Sequence, residues 1–424
     1  MAASSLYPGG SGAVKLACRA RAGYNGSLEW REVRALRRRL ECLLLLLCLA
    51  LPRAGAEGGV EEQLARTFEK YSTLGASVAV FQNGRVTYTY VYGRIRPDGP
   101  EVTADTAFQA GSISKMVACI GLLQLMDDKG VSLDDELGDV LGYEVRNPYY
   151  PEVPVTLRQL MTHTASLRDT SDYDDALEGE GLPLETLLGE RARAVFSRSE
   201  PGCERVYSNF GGGLIGPLIE ALSGMTLDDY MARNVFEPLG VTAAYQASRL
   251  AGKAPLADIY FMPEARLAKR PGEDASALRD YCFTAGKLAI SAQDLCKILI
   301  ALCDGGVCGN ARILKESQVA EMTARQDCAG SVCCDSGNGL FLNIITDGEV
   351  PGRTLLGHGG KAYGMLCAAY FDPADRTGVV VLTNGCDNRS DRNGIGVLGR
   401  EILTLCYQQI IDPFHEVEDP FEVR

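Results

Sequence analysis

Ser112 and Lys115 are the two residues of this chain best placed to do chemistry together. They sit in Gly111-Ser112-Ile113-Ser114-Lys115, which opens an apolar run. A serine and a lysine three residues apart at a helix start share one face, so the amine can reach the hydroxyl. The helix N-terminus also favours negative charge beside them. A hydroxyl near its free pKa is a poor nucleophile, and an adjacent base is the usual remedy. The pattern thus supplies a candidate nucleophile, Ser112, and a candidate base, Lys115. Taken alone it also fits a polar helix start with a solvated lysine.

Two further patterns carry possible chemistry. Tyr207-Ser208-Asn209 follows the turn Pro201-Gly202 and precedes three glycines, 211–213. A phenol can shuttle a proton if a lysine lowers its pKa. Asn209 could bond a substrate amide. The plainer alternative is a buried tyrosine with a satisfied hydroxyl and an asparagine in a turn. Gly357-His358-Gly359-Gly360 lies between two apolar, strand-like stretches. Glycines there allow a ligand to approach the backbone closely; the plainer alternative is a hairpin turn with an incidental histidine. Of the other two histidines, His163 follows a helix-like segment and reads as holding a loop, and His415 lies in the tail.

The elements that must position these residues follow from periodicity. Val60 to Tyr71 reads as an amphipathic helix. Ala76 to Phe81 and Arg85 to Gly93 read as strands joined through Asn83-Gly84, a strong hairpin signal. The Ser112 helix runs to about Lys129-Gly130. Helix starts beyond it are signalled by Ser132-x-x-Asp135, Thr156-x-x-Gln159, Thr226-x-x-Asp229 and Ser291-x-x-Asp294. Residues 166–184 are acidic and residues 262–280 are rich in Pro, Arg and Lys; both read as exposed loops. Strands return near Gly339 to Ile345, Met365 to Phe371 and Gly378 to Thr383, and Val397 to Ile411 reads as a closing helix. Strands at both ends with helices between predict an α+β fold. One antiparallel sheet is formed by the N- and C-terminal segments with flanking helices, plus a large all-helical insertion at about 118–335.

The three patterns, in this order, resemble those of the serine β-lactamase and penicillin-binding-protein superfamily, nearest its class C, D-alanyl-D-alanine carboxypeptidase and esterase branch. Ser112-Ile113-Ser114-Lys115 is similar to its Ser-x-x-Lys motif and Tyr207-Ser208-Asn209 to its Tyr-x-Asn motif. His358-Gly359-Gly360 is similar to the Lys-Thr-Gly motif in the variant where histidine replaces lysine. Residues 155–164 and Phe236-Glu237-Pro238-Leu239-Gly240 match further family segments, and the likeness spans about residues 60–405. Two departures stand out. The usual His-Thr-Ser-Gly reads His163-Thr164-Ala165-Ser166, and Ala-Gly-Gly reads Ala285-Gly286-Lys287, which puts a bulky cation near a loop the family keeps small.

The resemblance implies acyl transfer through a covalent Ser112 ester on esters, D-amino-acid peptides or β-lactam-like compounds. Lys115 and Tyr207 would share the proton work, and Asn209 would orient the substrate. The backbone N–H groups of Ser112 and Lys361 would form the oxyanion hole beside Gly359 and Gly360. It requires no metal or organic cofactor. The alternative is a catalytically inactive penicillin-binding or sensor-like protein on the same fold. His358 bears on preference: an unperturbed histidine, with pKa about 6.5, is mostly neutral at pH 7.5. It anchors a substrate carboxylate less well than lysine. Carboxypeptidase or esterase activity is therefore expected over efficient β-lactamase activity, and carboxylate-bearing substrates are expected to improve as pH falls toward 6.

Composition sets the remaining bounds. The 424 residues, 46% apolar and 23% charged, are ordinary for a globular chain. Arg34, Arg37, Arg38 and Arg39 precede the run Leu43 to Leu51, followed by Ala54-Gly55-Ala56. That is an export signal, expected to be cleaved after Ala56, with an uncleaved anchor as the second outcome. The domain reading is 1–56 extension and signal, 57–411 hydrolase-like domain, 412–424 tail. Without residues 1–56 the chain keeps 33 basic and 52 acidic residues. Such a charge balance excludes nucleic acid and argues against a stable membrane partner, leaving a small-molecule or peptide substrate. Twelve cysteines follow Ala56, seven of them between Cys282 and Cys334. In an exported chain a disulfide is expected in that region, of unreadable pairing. Cys119, Cys296 and Cys406 read as small core residues. No Cys-x-x-Cys pair supports a metal there.

Overall fold

The computed structural model describes residues 58–273, 278–326, 337–346, 350, 352–387 and 395–413. Residues 34–56, read as an export signal, and Cys328, Cys333, Cys334 and His415 lie outside the described residues, as does the tail beyond 413.

Helix α1 (Val60–Lys70) leads into strands β1 (Gly75–Gln82) and β2 (Arg85–Gly93). Asn83 and Gly84 both take positive φ, 50° and 75°, which the tight turn between twisted strands requires. The chain returns to this sheet with β3 (Asn338–Gly339), β4 (Leu342–Ile345), β5 (Leu355–Ala362), β6 (Met365–Asp372) and β7 (Thr377–Thr383). The seven strands lie in the order β3-β4-β5-β6-β7-β1-β2, antiparallel throughout. β1 pairs with β7 from Ala76 opposite Thr383 to Gln82 opposite Thr377, so the two ends of the chain build one sheet, as the sequence predicts.

Both faces of the sheet are covered, and the pleat sorts its side chains between two cores. Ala79, Phe81, Cys367, Ala369, Phe371, Val380 and Leu382 face one core. Val78, Val80, Leu366, Ala368, Tyr370, Val379 and Val381 face the other. This period of two is what strand geometry dictates. Double coverage explains why the central strands read as unbroken apolar runs. The terminal helices α1 and α7 (Val397–Cys406) close the second face through Leu64, Phe68, Ile402 and Leu403.

The first face carries α2 (Ile113–Lys129), α3 (Leu157–Met161), α4 (Asn209–Gly213), α5 (Ile215–Ser223) and α6 (Ala292–Cys303). Helix α2 is apolar nearly all round and buried on every side, the pattern of a central helix. Thr156 forms the full capping box of α3, and Ser291 caps α6. Ser132 makes only half of such a box: its N–H donates to Asp135 Oδ2, but its Oγ accepts from the Asp134 N–H, and the bonds stabilise only a turn. The insertion is not helical throughout. Phe108–Gln109 and Ala243–Ala244 flank Ala289–Ile290 in a small sheet, and hairpins occur at Ile259–Phe261/Arg266–Lys269 and Val307–Cys308/Ala311–Arg312. The first of these hairpins and Ser171–Leu177, a helix, replace part of the two expected exposed loops.

Of the seven cysteines between 282 and 334 the structure describes four, so the expected disulfide is narrowed to Cys328, Cys333 and Cys334, which lie outside the described residues. Cys282, Cys296, Cys303 and Cys308 are all free thiols. Cys303 directs its sulfur at the Asp372 carbonyl, 3.7 Å away, while Cys308 packs on the core from a separate hairpin. Cys119, Cys296 and Cys406 are fully buried, as read.

Candidate active site

Ser112 stands at the N-terminal end of α2, after Gly111 turns the backbone through φ +58°. One helical turn on, Lys115 is fully buried, and its Nζ donates to Ser112 Oγ at 3.1 Å. It also donates to Asn209 Oδ1 at 3.0 Å and to the Ala285 carbonyl at 2.5 Å. A buried ammonium needs such partners, and here they aim it at the serine. The path of its side chain depends on Gly212: a Cβ there would collide with Lys115 Cε and Cδ. The Tyr207 hydroxyl also donates to Ser112 Oγ, at 2.7 Å. Lys115 and Tyr207 therefore meet on one oxygen, Ser112 Oγ, and Asn209 joins them through Lys115.

The Tyr207–Asn209 segment is held from two sides. Asp169 accepts from Ser208 Oγ at 3.0 Å, Asn209 Nδ2 at 2.8 Å and the Phe210 N–H at 2.9 Å. His163, at φ +59°, accepts the Ser208 N–H on Nδ1 at 3.2 Å. Its ring lies against Tyr207 with centroids 4.3 Å apart. Burial, reinforced by Arg205, pushes the His163 pKa well below its ordinary value, so it stays neutral and accepting. The loop role read for His163 is thus realised as support for the tyrosine. Asp169 was not legible as a site residue, because it lies 40 residues from Asn209 in a stretch that reads as an acidic loop. Its only local signal is its place after the match at 155–164.

Strand β5 supplies the opposite wall. Gly360 lies against the Gly111 turn so closely that a Cβ would collide with the Ala110 carbonyl. A Cβ on Gly111 would in turn sit 3.1 Å from the Lys361 amide nitrogen, so that amide adjoins the serine turn. His358 is buried, and its ring lies 6.4 Å from that of Tyr207. Its Nδ1 is 2.6 Å from the Gly359 carbonyl. A carbonyl can only accept, so Nδ1 carries the proton and Nε2 is left as an acceptor. Burial first, then the Lys115 charge, lower its pKa to about 4. This corrects the expectation of improved carboxylate binding toward pH 6: at that pH His358 is still neutral and has no second N–H to offer.

A cleft of about 150 Å³ opens beside Ser112 and Asn209, and Lys287, Lys361 and Tyr363 also line it. Tyr173 and Leu177 complete it from the segment expected to be a solvent loop. Among the described residues no group of three or more His, Cys, Asp or Glu side chains could hold a metal ion. Among them also, no single helix is long and apolar enough to cross a membrane.

A doubly covered antiparallel sheet, with a lysine and a tyrosine bonded to a serine at the start of the central helix, defines the class. Residues 60–403 match the β-lactamase family model, and the chain belongs to that family. It is 27% identical over 335 residues to penicillin-binding protein 4 of Amycolatopsis lactamdurans, covering 73% of this chain and 81% of that one. It is 25% identical over 336 residues to a D-aminopeptidase of Brucella anthropi, covering 74% of this chain but only 57% of the relative. In three dimensions it is similar to the penicillin-binding protein homologue from Pyrococcus abyssi. The TM-score is 0.66 at 22% identity, over 83% of this chain and 76% of that one.

Proposed function

We propose that this protein is an active-site-serine hydrolase that works through an acyl-enzyme on Ser112. The observation that carries the reading is the convergence of the Lys115 amine and the Tyr207 hydroxyl on Ser112 Oγ, at 3.1 and 2.7 Å. As Ser112 attacks a carbonyl carbon, its proton passes to this pair in the form that holds one proton fewer, phenolate beside ammonium or phenol beside amine, so that one of the two bonds to Ser112 Oγ runs from the serine. The pair returns a proton to the leaving group as its bond breaks. Water then cleaves the acyl–serine ester and restores the hydroxyl. Asn209, fixed by Lys115 and Asp169, is placed to bond an amide of the substrate. The amides of Ser112 and Lys361 would receive the developing oxyanion. The kinship with a penicillin-binding protein and a D-aminopeptidase supports the same chemistry.

Within that class, simple esters and amides are favoured over β-lactams as turnover substrates. His358 stands where the resemblance puts a carboxylate-anchoring lysine, and it is neutral, with its proton turned to the Gly359 carbonyl. The chain is also read as exported on the strength of residues 34–56. A fluorophosphonate or a penicillin should add one adduct to intact protein, on Ser112, and Ser112→Ala should abolish both the adduct and ester turnover. An adduct elsewhere, or activity surviving in Ser112→Ala, overturns the reading. Labelling without any turnover would favour the non-catalytic alternative.

A further inference from the structure

Tyr173 brings to the cleft a polar atom that the protein itself does not use. The residue is only 4% exposed, and its hydroxyl makes no hydrogen bond among the described residues. Nor is that oxygen sealed inside the protein, so it opens into the cleft that Tyr173 lines. We infer that Tyr173 selects the substrate, donating a hydrogen bond to an uncharged acceptor carried on a compact, six-membered-ring acyl group. This rests on the serine-hydrolase reading and names the substrate class of that site: esters and amides of oxygen-bearing cyclic carboxylic acids.

Size and charge both favour such a group. The cleft volume, about 150 Å³, is that of a protein cavity that accepts benzene, so it holds one ring beside Ser112. Leu177, Cys282, Ala285 and Ala362 give it an apolar lining. Burial pushes the Cys282 thiol up to about 12, so it stays neutral. Burial also holds the Tyr173 phenol well above its ordinary range, so it keeps its proton and can donate. The two lysines at the cleft have partners of their own, and the Lys287 ammonium lies 5.9 Å from the Tyr363 ring centroid. The amide nitrogens of Gln109 and Asn209 already donate, to the Gly286 carbonyl at 2.9 Å and to Asp169 Oδ2 at 2.8 Å. The phenol alone of these donors is unspent, and leaving it so on binding an all-carbon ring forfeits a bond.

Tyr173 is also held in place. It lies in the helix Ser171–Leu177, and its ring packs on Phe210 with centroids 6.2 Å apart. The Phe210 N–H is bonded to Asp169, which also holds Asn209, so the phenol is fixed relative to the site. The chain after the helix is pinned by Arg279 Nε on the Gly181 carbonyl at 2.7 Å and by the Tyr281 hydroxyl on the Leu182 carbonyl at 2.8 Å. The acyl side is the cleft side: Tyr207 and His358 lie together and neither lines the cleft, so a leaving group protonated from Tyr207 departs on their side.

The test compares 4-nitrophenyl tetrahydropyran-4-carboxylate with 4-nitrophenyl cyclohexanecarboxylate, which differ only in a ring oxygen standing for a methylene. In each, Ser112 Oγ takes the acyl group as the bond to 4-nitrophenolate breaks, and water then releases the ring carboxylic acid. The ratio of the two kcat/KM values, tetrahydropyran over cyclohexane, should fall roughly three- to tenfold in Tyr173→Phe, the scale of one neutral hydrogen bond. Tyr173→Phe keeps the ring that packs on Phe210, and circular dichroism checks its fold. Leu177→Trp, which fills the cleft, should lower the ratio of the cyclohexanecarboxylate to the acetate ester roughly tenfold. An unchanged ratio in either variant overturns the inference. Binding to Ser112→Ala keeps the test independent of turnover. Calorimetry with the anilides of the same two acids should show the affinity ratio falling by a similar factor when Tyr173→Phe is added. A ratio that does not move refutes the role of the phenol. A ratio that moves, in a protein that turns over neither ester, sinks the hydrolase reading and leaves the recognition by Tyr173 standing.

Discussion

At the scale of single residues, the site depends on groups that do no chemistry. Gly212 is the clearest. It lies in a helical segment where alanine would ordinarily be favoured, yet a Cβ would strike Lys115. Gly212→Ala should therefore keep the fold, with far-UV circular dichroism unchanged. It should lower kcat roughly a hundredfold, the scale of a misplacement of about 1 Å at a catalytic group. Wild-type kcat in that variant would show that Lys115 has another route to the serine. Asp169 works through Asn209. Asp169→Ala should cost roughly ten- to a hundredfold in kcat/KM, from the loss of bonds to a charged acceptor. The loss should be greater for amide than for ester substrates if Asn209 bonds the substrate amide as proposed; equal loss on both would make Asp169 a structural residue only. Ser112, Lys115, Tyr207 and Asn209 were legible because their types and order carry the pattern. Asp169 and Gly212 were not. A carboxylate in an acidic stretch and the middle of three glycines acquire meaning only when distant segments meet.

At the scale of elements, histidines join the walls of the site, and their burial has a price in acid. Both His163 and His358 have pKa values lowered by burial, His358 to about 4. The unfolded chain takes up a proton on each near pH 6.5, while the folded one resists, so stability falls as pH drops. The contribution is fully present above about pH 6.5 and is lost progressively down to the folded pKa. For His358 the loss is about 1–2 kcal/mol by pH 5. A urea midpoint that falls from pH 7 to pH 5 should fall less in His358→Asn. An equal fall in the variant would assign the acid sensitivity to other groups. Element boundaries show what sequence could and could not supply. Thr156 and Ser291 announce helices and cap them. Ser132 carries the same signal yet ends in a turn, because only the local bonds, and not a buried helical face, follow it. Residues 171–177 hid their helix behind acidic residues; Tyr173, Ala176 and Leu177 turn inward.

At the scale of the whole molecule, the β1–β7 pairing makes the two ends of the chain one structure. The sequence showed this through strands confined to both ends, and it could not show which faces would be covered. The short strands in the insertion escaped because two- to four-residue pairings leave almost no periodicity. Ile402 in α7 belongs to the core on the far face of the sheet from Ile113 and Met116 beside the nucleophile. The two cores share the same strands, Val380 and Leu382 facing one, Val379 and Val381 the other. Loss of packing on the far face should therefore loosen the strands that hold His358, Gly360 and Lys361. Ile402→Ala should cost about 2–5 kcal/mol, the range for a buried isoleucine cut to alanine. If the sheet couples both faces, two midpoints in urea should shift together: loss of secondary structure by circular dichroism, and loss of fluorophosphonate labelling at Ser112. A variant whose circular dichroism midpoint falls while its labelling midpoint stays would mean that the helical side holds the serine, lysine and tyrosine without the terminal helices. Coincident shifts would mean that α1 and α7, more than a sheet's thickness from the chemistry, are part of what keeps Ser112 in place.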